Sequence, residues 1–280
     1  MYASKTLITT TNELASRQKR LSICLGADGF SFAEATLDDR SGVKCPATGQ
    51  LLTFGLAEGE HAHSMTTAMA DVKALLSSVG IHPLGYASME LVVVSDESTW
   101  VPDELYSSLS NRQYLRLVGA NPESVMTCHS KALESTAVFA ANEQVVTAFK
   151  VAMPGVAVMH QHAKMAQLAP CFTSHPVILT HWRQGRVDVA LFSEGKYLYG
   201  NTLRYANENE AVYRLVELLQ AYGMEDKGAE LLLCGDVDRD RYMRLRPYFP
   251  LTTLFNGTVD RSQNPEFKTL HAYRHALILI

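Results

Sequence analysis

No two of the five cysteines stand in a C-x-x-C pair, which excludes the common signatures of a zinc site or a dithiol redox centre. Cys24, Cys45, Cys128, Cys171 and Cys234 are scattered and odd in number, a usage that fits a reducing compartment rather than a disulfide scaffold. An excess of either sign of charge is also lacking. A formal net charge of −4 gives no basic footprint for nucleic acid or an anionic bilayer. No run approaches the ~18 apolar residues of a spanning helix. The first residues, Met1-Tyr-Ala-Ser-Lys-Thr-Leu-Ile, lack the apolar core of a signal peptide. A G-x-S-x-G elbow, a Walker loop and a dinucleotide fingerprint are all missing. The expectation is a cytoplasmic protein with no transmembrane segment and no nucleic-acid partner.

What is present is a pattern stated twice. At 280 residues, 47% hydrophobic and 19% charged, the chain has the bulk of two ordinary globular domains. From Arg20 to Leu76 it runs apolar strand, glycine turn, strand, third strand and helix, and Pro176 to Leu219 repeats that order. Each half is followed by a similar burst: Met89-Glu-Leu-Val-Val-Val-Ser-Asp96, then Ala229-Glu-Leu-Leu-Leu-Cys-Gly-Asp236. Asp28-Gly29 is matched by Gln184-Gly185, Phe54-Gly55 by Tyr199-Gly200, and Glu90-Leu91 by Glu230-Leu231. The offset between partners shrinks in one direction and mostly in one place, as it does when loops differ in length and elements stay matched. Leu37 to Gln50 has no counterpart of that length. The division expected is 1–172, with an extra segment 121–172, and 173–280.

Local patterns fill in the elements. Leu21 to Leu25 and Phe30 to Thr36 alternate as two strands of a hairpin, and Leu51 to Leu56 supplies a third. Ser64 is a helix cap before Met65, Met69, Val72 and Leu75. Leu91 to Val94 is a β-branched run suited to a strand buried on both faces. Thr99 has the position of an N-cap, with Pro102 in a first helical turn. Strands follow at 124–129 and 136–141, a helix from about Glu143, a strand at 156–159 and a helix over 161–168. In the second half, 177–181, 187–192 and 197–205 read as strands and 207–222 as an amphipathic helix. A strand at 231–234, a helix started by Asp238, a strand at 251–255 and a terminal helix or helix–strand pair over 265–280 complete the chain.

Three antiparallel strands, a helix and a strand joining in parallel resemble the start of the ribonuclease-H-like unit. Two copies in one chain resemble the actin-like ATPase superfamily and, within it, an uncharacterised family of bacteroidete proteins with that fold. The resemblance implies an α/β protein of two ribonuclease-H-like domains, each with a mixed five-stranded sheet flanked by helices. It implies phosphate loops as well. In catalytic members an Asp-x-Gly-Thr turn ends the first strand, its carboxylate orienting hydrated magnesium and its backbone N–H groups approaching phosphate. Here the stretch is Ile23-Cys-Leu-Gly-Ala-Asp-Gly-Phe-Ser31. Leu25 or Gly26 stands where the acid belongs, Asp28-Gly29 lies further into the turn, and the hydroxyl is displaced to Ser31. A slipped alignment makes Asp28 the magnesium carboxylate; the plainer reading is that Asp-Gly is a strong hairpin signal. The second loop of catalytic members is Asp-x-Gly-Gly-Gly-Thr, whereas this chain has Leu179-Thr-His-Trp-Arg-Gln-Gly-Arg-Val-Asp188. His181, Trp182 and Arg183 crowd the place of a phosphate. Gly235, after its strand, corresponds to the superfamily's adenosine-binding glycine, and Gly-Asp there is also ordinary turn chemistry.

Residues expected to line an interdomain cleft are thus Asp28, Gly29, Ser31, Gly185, Arg186, Gly235 and Asp236. No catalytic or metal residue is assigned. The expected function is non-catalytic binding or scaffolding with a protein partner and no cofactor. The competing reading is an ATP-dependent phosphotransferase or ATPase, with ATP and magnesium as cofactors, Asp28 on the metal and Gly235 near the adenosine. The pairs His61/His63, His160/His162 and His271/His275 are read as surface or partly buried histidines, since no third ligand accompanies them. Asp96 and Asp236 are too few for two-metal nuclease chemistry. The apolar terminus after Phe267 is expected to pack on the body of the protein.

Overall fold

The computed structural model describes residues 19–26, 29–36, 51–55, 76, 82–225, 228–255 and 272–278. Asp28, the helix expected from Ser64, His61, His63, His271 and most of the terminal tail lie outside the described residues. The chain divides into two compact units, the first ending its main run at Gln161 and the second beginning at His162.

In the first unit, β1 (Lys19–Gly26), β2 (Gly29–Thr36), β3 (Leu51–Gly55), β4 (Ser88–Val93) and β8 (Ala157–His160) form one sheet in the order β3-β2-β1-β4-β8. β1 pairs antiparallel with β2 and parallel with β4, and β4 parallel with β8. Leu21, Ile23, Leu91 and Val93 are buried. Helix α2 (Glu143–Ala152) lends Val145, Val146 and Phe149 to the same core. Their spacing puts them on one helical face, and burying Phe149 contributes roughly 3 kcal/mol. Asn142 starts α2 by accepting a hydrogen bond from the Val145 N–H at 3.1 Å, one of the donors a helix start leaves without a partner. Beyond the end of β4, the Gln161 side chain holds Ser95 on both sides. Its Oε1 accepts from the Ser95 N–H at 2.9 Å, and its Nε2 donates to the Ser95 carbonyl at 2.8 Å.

A second, three-stranded sheet lies between β4 and β8 in the chain: β5 (Ser98–Pro102), β6 (Val125–Ser130) and β7 (Ser135–Ala140), in the order β5-β7-β6, all antiparallel. With α1 (Asn111–Leu117) it makes a small core of Val101, Leu115, Ala120 and Val138. This corrects the helix expected from Thr99. Thr99 is in a strand, paired with Val138. Ser-Thr-Trp-Val has the β-branched and aromatic content of a strand, and β7, nearly forty positions away, supplies the partner. Pro102 ends the strand and precedes a 3-10 turn at Asp103–Leu105.

The second unit repeats the sheet order. β9 (Val177–Arg183), β10 (Arg186–Ser193), β11 (Lys196–Arg204), β12 (Glu230–Gly235) and β13 (Thr252–Leu254) run β11-β10-β9-β12-β13, antiparallel through the first three and parallel for the rest. β8, within the segment 121–172, therefore takes the place in the first sheet that β13 takes in the second. This is the actin-like ATPase fold. Helix α3 (Gln161–Ala166) leads into the unit; α4 (Glu208–Ala221) and α5 (Arg239–Leu245) pack on the sheet. Ala211, Val212, Leu215, Leu218 and Leu219 of α4 meet Ile178, Val187, Val189 and Leu191. Asn207 caps α4 through the Glu210 N–H at 3.1 Å, and Asp238 caps α5 through the Arg241 N–H at 2.7 Å. Among the described residues, no helix is long and apolar enough to cross a membrane.

β9 and β12 meet most tightly at Gly235. Its φ is +81°, and a Cβ built there would lie 2.3 Å from the Trp182 carbonyl oxygen and 2.8 Å from the Trp182 nitrogen. Both obstacles are backbone, so neither yields. The adjoining Asp236 N–H donates to the same carbonyl at 2.8 Å. Gly223, with φ +60°, has open space around the equivalent position. Gly235→Ala should therefore lower stability in urea by about 3 kcal/mol, and Gly223→Ala by about 1 kcal/mol. Equal losses would remove the close approach as the cause.

Candidate functional site

The described candidates fall into two sets, one on each unit. Gly26 and Gly29 pair across the end of the β1–β2 hairpin. Ser31 is half-buried within β2, opposite Cys24 on β1 and Thr53 on β3. It sits in a strand ladder, not in a turn. On the second unit Gly185, with φ +66°, forms the two-residue turn between β9 and β10 with Gln184. Arg186 opens β10 opposite Arg183 and Arg204. Gly235 and Asp236 end β12, one buried and the other exposed. Gln184 and Asp236, with Arg183, Asp238, Arg241 and Arg274, border an open pocket of about 330 Å³. It lies at the carboxyl ends of the parallel strands β9 and β12, where open α/β sheets place ligands.

Beneath that rim the chemistry centres on Asp188, to which the sequence pattern assigns no role, and on His181 and Arg183, which the sequence places in the way of a phosphate. Asp188 on β10 is fully buried. Pairing puts it directly opposite His181 on β9 and Thr202 on β11, so the three side chains share one face. Arg183, two residues beyond His181, points the same way. Its Nη2 donates to Asp188 Oδ1 at 2.7 Å and its Nε to Oδ2 at 3.0 Å. The Thr202 hydroxyl donates to Oδ1 at 2.7 Å, and His181 Nδ1 lies 3.0 Å from Oδ2. A carboxylate only accepts, so His181 carries its proton on Nδ1. About four acceptor positions are available on a carboxylate, and four donors take them. Burial alone would raise the Asp188 carboxyl; the hydrogen bonds from His181 and Arg183 and the Arg183 charge hold it well below its ordinary range.

Thr202 extends this network to α3. Having given its proton to Asp188, its oxygen accepts from His162 Nε2, 3.2 Å away. His162 is thereby fixed as the neutral Nε2–H tautomer. Burial pulls its pKa down to about 4, against the opposing pull of Asp188. Trp182 faces the other way, between His181 and Arg183 in the chain, and is wholly buried. Its indole N–H donates to Thr180 Oγ1 at 2.8 Å, and the Arg241 guanidinium lies 4.7 Å above its ring. Arg241 also makes a two-point pair with Glu208, at 2.7 and 3.1 Å, and bonds the Asp236 carbonyl. So Trp182 belongs to the core rather than to a ligand space. Cys234, next to Gly235, is buried, and burial and the Asp188 charge push its thiol well up. It is an inert hydrophobe. Among the described residues no group of three or more His, Cys, Asp or Glu could hold a metal ion.

The sheet order and this strand-end site define a protein of the actin-like ATPase fold. The chain belongs to the family described as "Protein of unknown function (DUF3822)", whose model matches residues 9–252. Among solved structures it is similar to a Bacteroides thetaiotaomicron protein with actin-like ATPase fold and unknown function. That match has 16% identity and a TM-score of 0.65, covering 91% of this chain and 97% of the other. It is also similar to a chain of the PilM–PilN type IV pilus biogenesis complex, at 12% identity and a TM-score of 0.54, covering 94% and 97%. At these identities the likeness shows the fold. No curated protein matches the sequence.

The buried network makes stability depend on pH in a definite direction. Between about pH 6.5 and 4 the unfolded chain protonates His162 and the folded one does not, so stability falls as pH falls. The full loss from this group is about 3 kcal/mol. Asp188 acts in the next window down: its contribution is present above its ordinary carboxylate pKa and is lost as pH drops below it. Urea unfolding across this range should show the slope, and His162→Gln should flatten its upper part. An unchanged slope in that variant would assign the effect elsewhere.

Proposed function

We propose that this protein is a non-catalytic binding or scaffolding component that acts in the cytoplasm with a protein partner and needs no nucleotide or metal. The observation that carries this reading is the saturation of Asp188. In the second strand hairpin, the part of the fold that resembles a phosphate loop, the buried acid has its acceptor positions filled by Arg183, His181 and Thr202. A carboxylate so engaged has no lone pair left for magnesium or its waters. The turn beside it has two residues and a single glycine, where a run of backbone N–H groups would be needed to surround a phosphate. The strand-end glycine, Gly235, is required by the approach of Trp182, which is a sufficient reason for it without adenosine. A relative of the same fold, PilM, is found in a complex with another protein, which supports a partner as the thing bound.

The test is direct. The full chain is incubated with millimolar ATP and magnesium, and its melting temperature and phosphate release are followed. Tight binding would stabilise the protein by about 4 kcal/mol at a thousandfold excess over Kd. The expected result is no shift and no turnover. Turnover that Asp28→Asn abolishes would overturn the proposal in favour of an ATPase or phosphotransferase.

A further inference from the structure

We propose that the pocket at the carboxyl ends of β9 and β12 binds a small zwitterion of the α-amino acid class, its ammonium group on Asp236 and its carboxylate on Arg274. This deepens the reading of the chain as a binding component and rests on it. The pocket's charges divide by whether each already has a partner. Arg183 is committed to Asp188 through two hydrogen bonds. Arg241 is committed to Glu208 in the same two-point manner, with Trp182 under its face. The Asp238 carboxylate caps α5. Two charges of opposite sign remain. Asp236 and Arg274 are exposed, and among the described residues neither forms a hydrogen bond or ion pair through its side chain, with the other or with any group.

A ligand that satisfies both must bring one cation and one anion, which is the definition of a zwitterion. The Gln184 amide at the rim offers a neutral donor and acceptor. The volume, about 330 Å³, lies at the lower end of the range for small-molecule sites, which suits an amino acid and not a nucleotide. Polyphosphate is disfavoured on charge as well. Arg183 and Arg241 are already neutralised by Asp188 and Glu208, and two aspartates face the space. Complementary charge of this kind sets specificity more than raw affinity.

The experiment is isothermal titration of the full chain with each standard free L-amino acid at millimolar concentration. Any that binds is followed by its N-acetyl derivative, which has lost the ammonium, and by its methyl ester, which has lost the carboxylate. Saturable binding of at least one free amino acid is expected, weakened by about tenfold or more in each blocked form. Asp236→Asn should weaken it as the N-acetyl group does, and Arg274→Gln as the ester does. Both positions are exposed, and unchanged circular dichroism and melting temperature would show that the variants fold. The inference is overturned if no free amino acid binds, if a blocked form binds equally, or if neither substitution matters. Hydrolysis of ATP in the separate nucleotide assay would sink the non-catalytic reading instead, while the titration alone decides the zwitterion.

Discussion

One buried carboxylate organises the second unit. Asp188 cannot lie in the interior as an isolated charge, because the desolvation cost would exceed anything packing returns. Its four donors are therefore a condition of the fold. They come from the two strands that flank β10: Arg183 and His181 on β9 and Thr202 on β11. Meeting that condition fixes the register of β9, β10 and β11 together, since a slip of one residue would turn any of these side chains to the other face. The same requirement determines what the hairpin cannot do. Arg183 stands beside the turn, yet its guanidinium is directed inward and is not free for an anion.

The two-sided use of β9 follows from this. Alternation places His181 and Arg183 on the polar network and Thr180 and Trp182 against the core. A strand with both faces occupied, joined to β12 by a contact as close as that at Gly235, leaves little freedom at its carboxyl end. The adjoining pocket is thus built on rigid elements. That favours selective recognition of a small ligand over the rearrangement that usually accompanies nucleotide closure.

Much of the fold was legible because its strands alternate cleanly. Both hairpins, the amphipathic α4 with its Asn207 cap and the β-branched runs of β4 and β12 are signalled locally and are found at those places. The order of the two sheets was legible for the same reason, in that matched elements recur in matched sequence. The three-stranded sheet was less so. Thr99 looked like a helix cap because its strand partner, Val138, is remote in sequence, and pairing of that kind leaves no local trace. Of the described residues expected at a site, Asp236 alone lines the pocket beside β9 and β12. Gly235 and Asp236 were singled out, yet the reason for the glycine is a neighbouring backbone that only the fold brings close. Asp188 was passed over because an acid between Val187 and Val189 reads as an outward-facing strand residue. The one available signal was Arg183-x-x-Arg186-x-Asp188, basic residues around an acid across a tight turn. His162 reads from sequence as a surface or partly buried histidine, and its hydrogen bond to Thr202 is made only by the fold.

The amide of Gln161 has a meaning beyond the bond lengths given for it. Where the backbone pairing of two strands stops, the next peptide group still has a donor and an acceptor that need partners. At Ser95 both are answered by one side chain that copies a peptide group in shape and polarity. Gln161 directly follows β8, the neighbour of β4, so its side chain prolongs the β4–β8 ladder by one peptide group after the backbone pairing has ended at Val93 and His160.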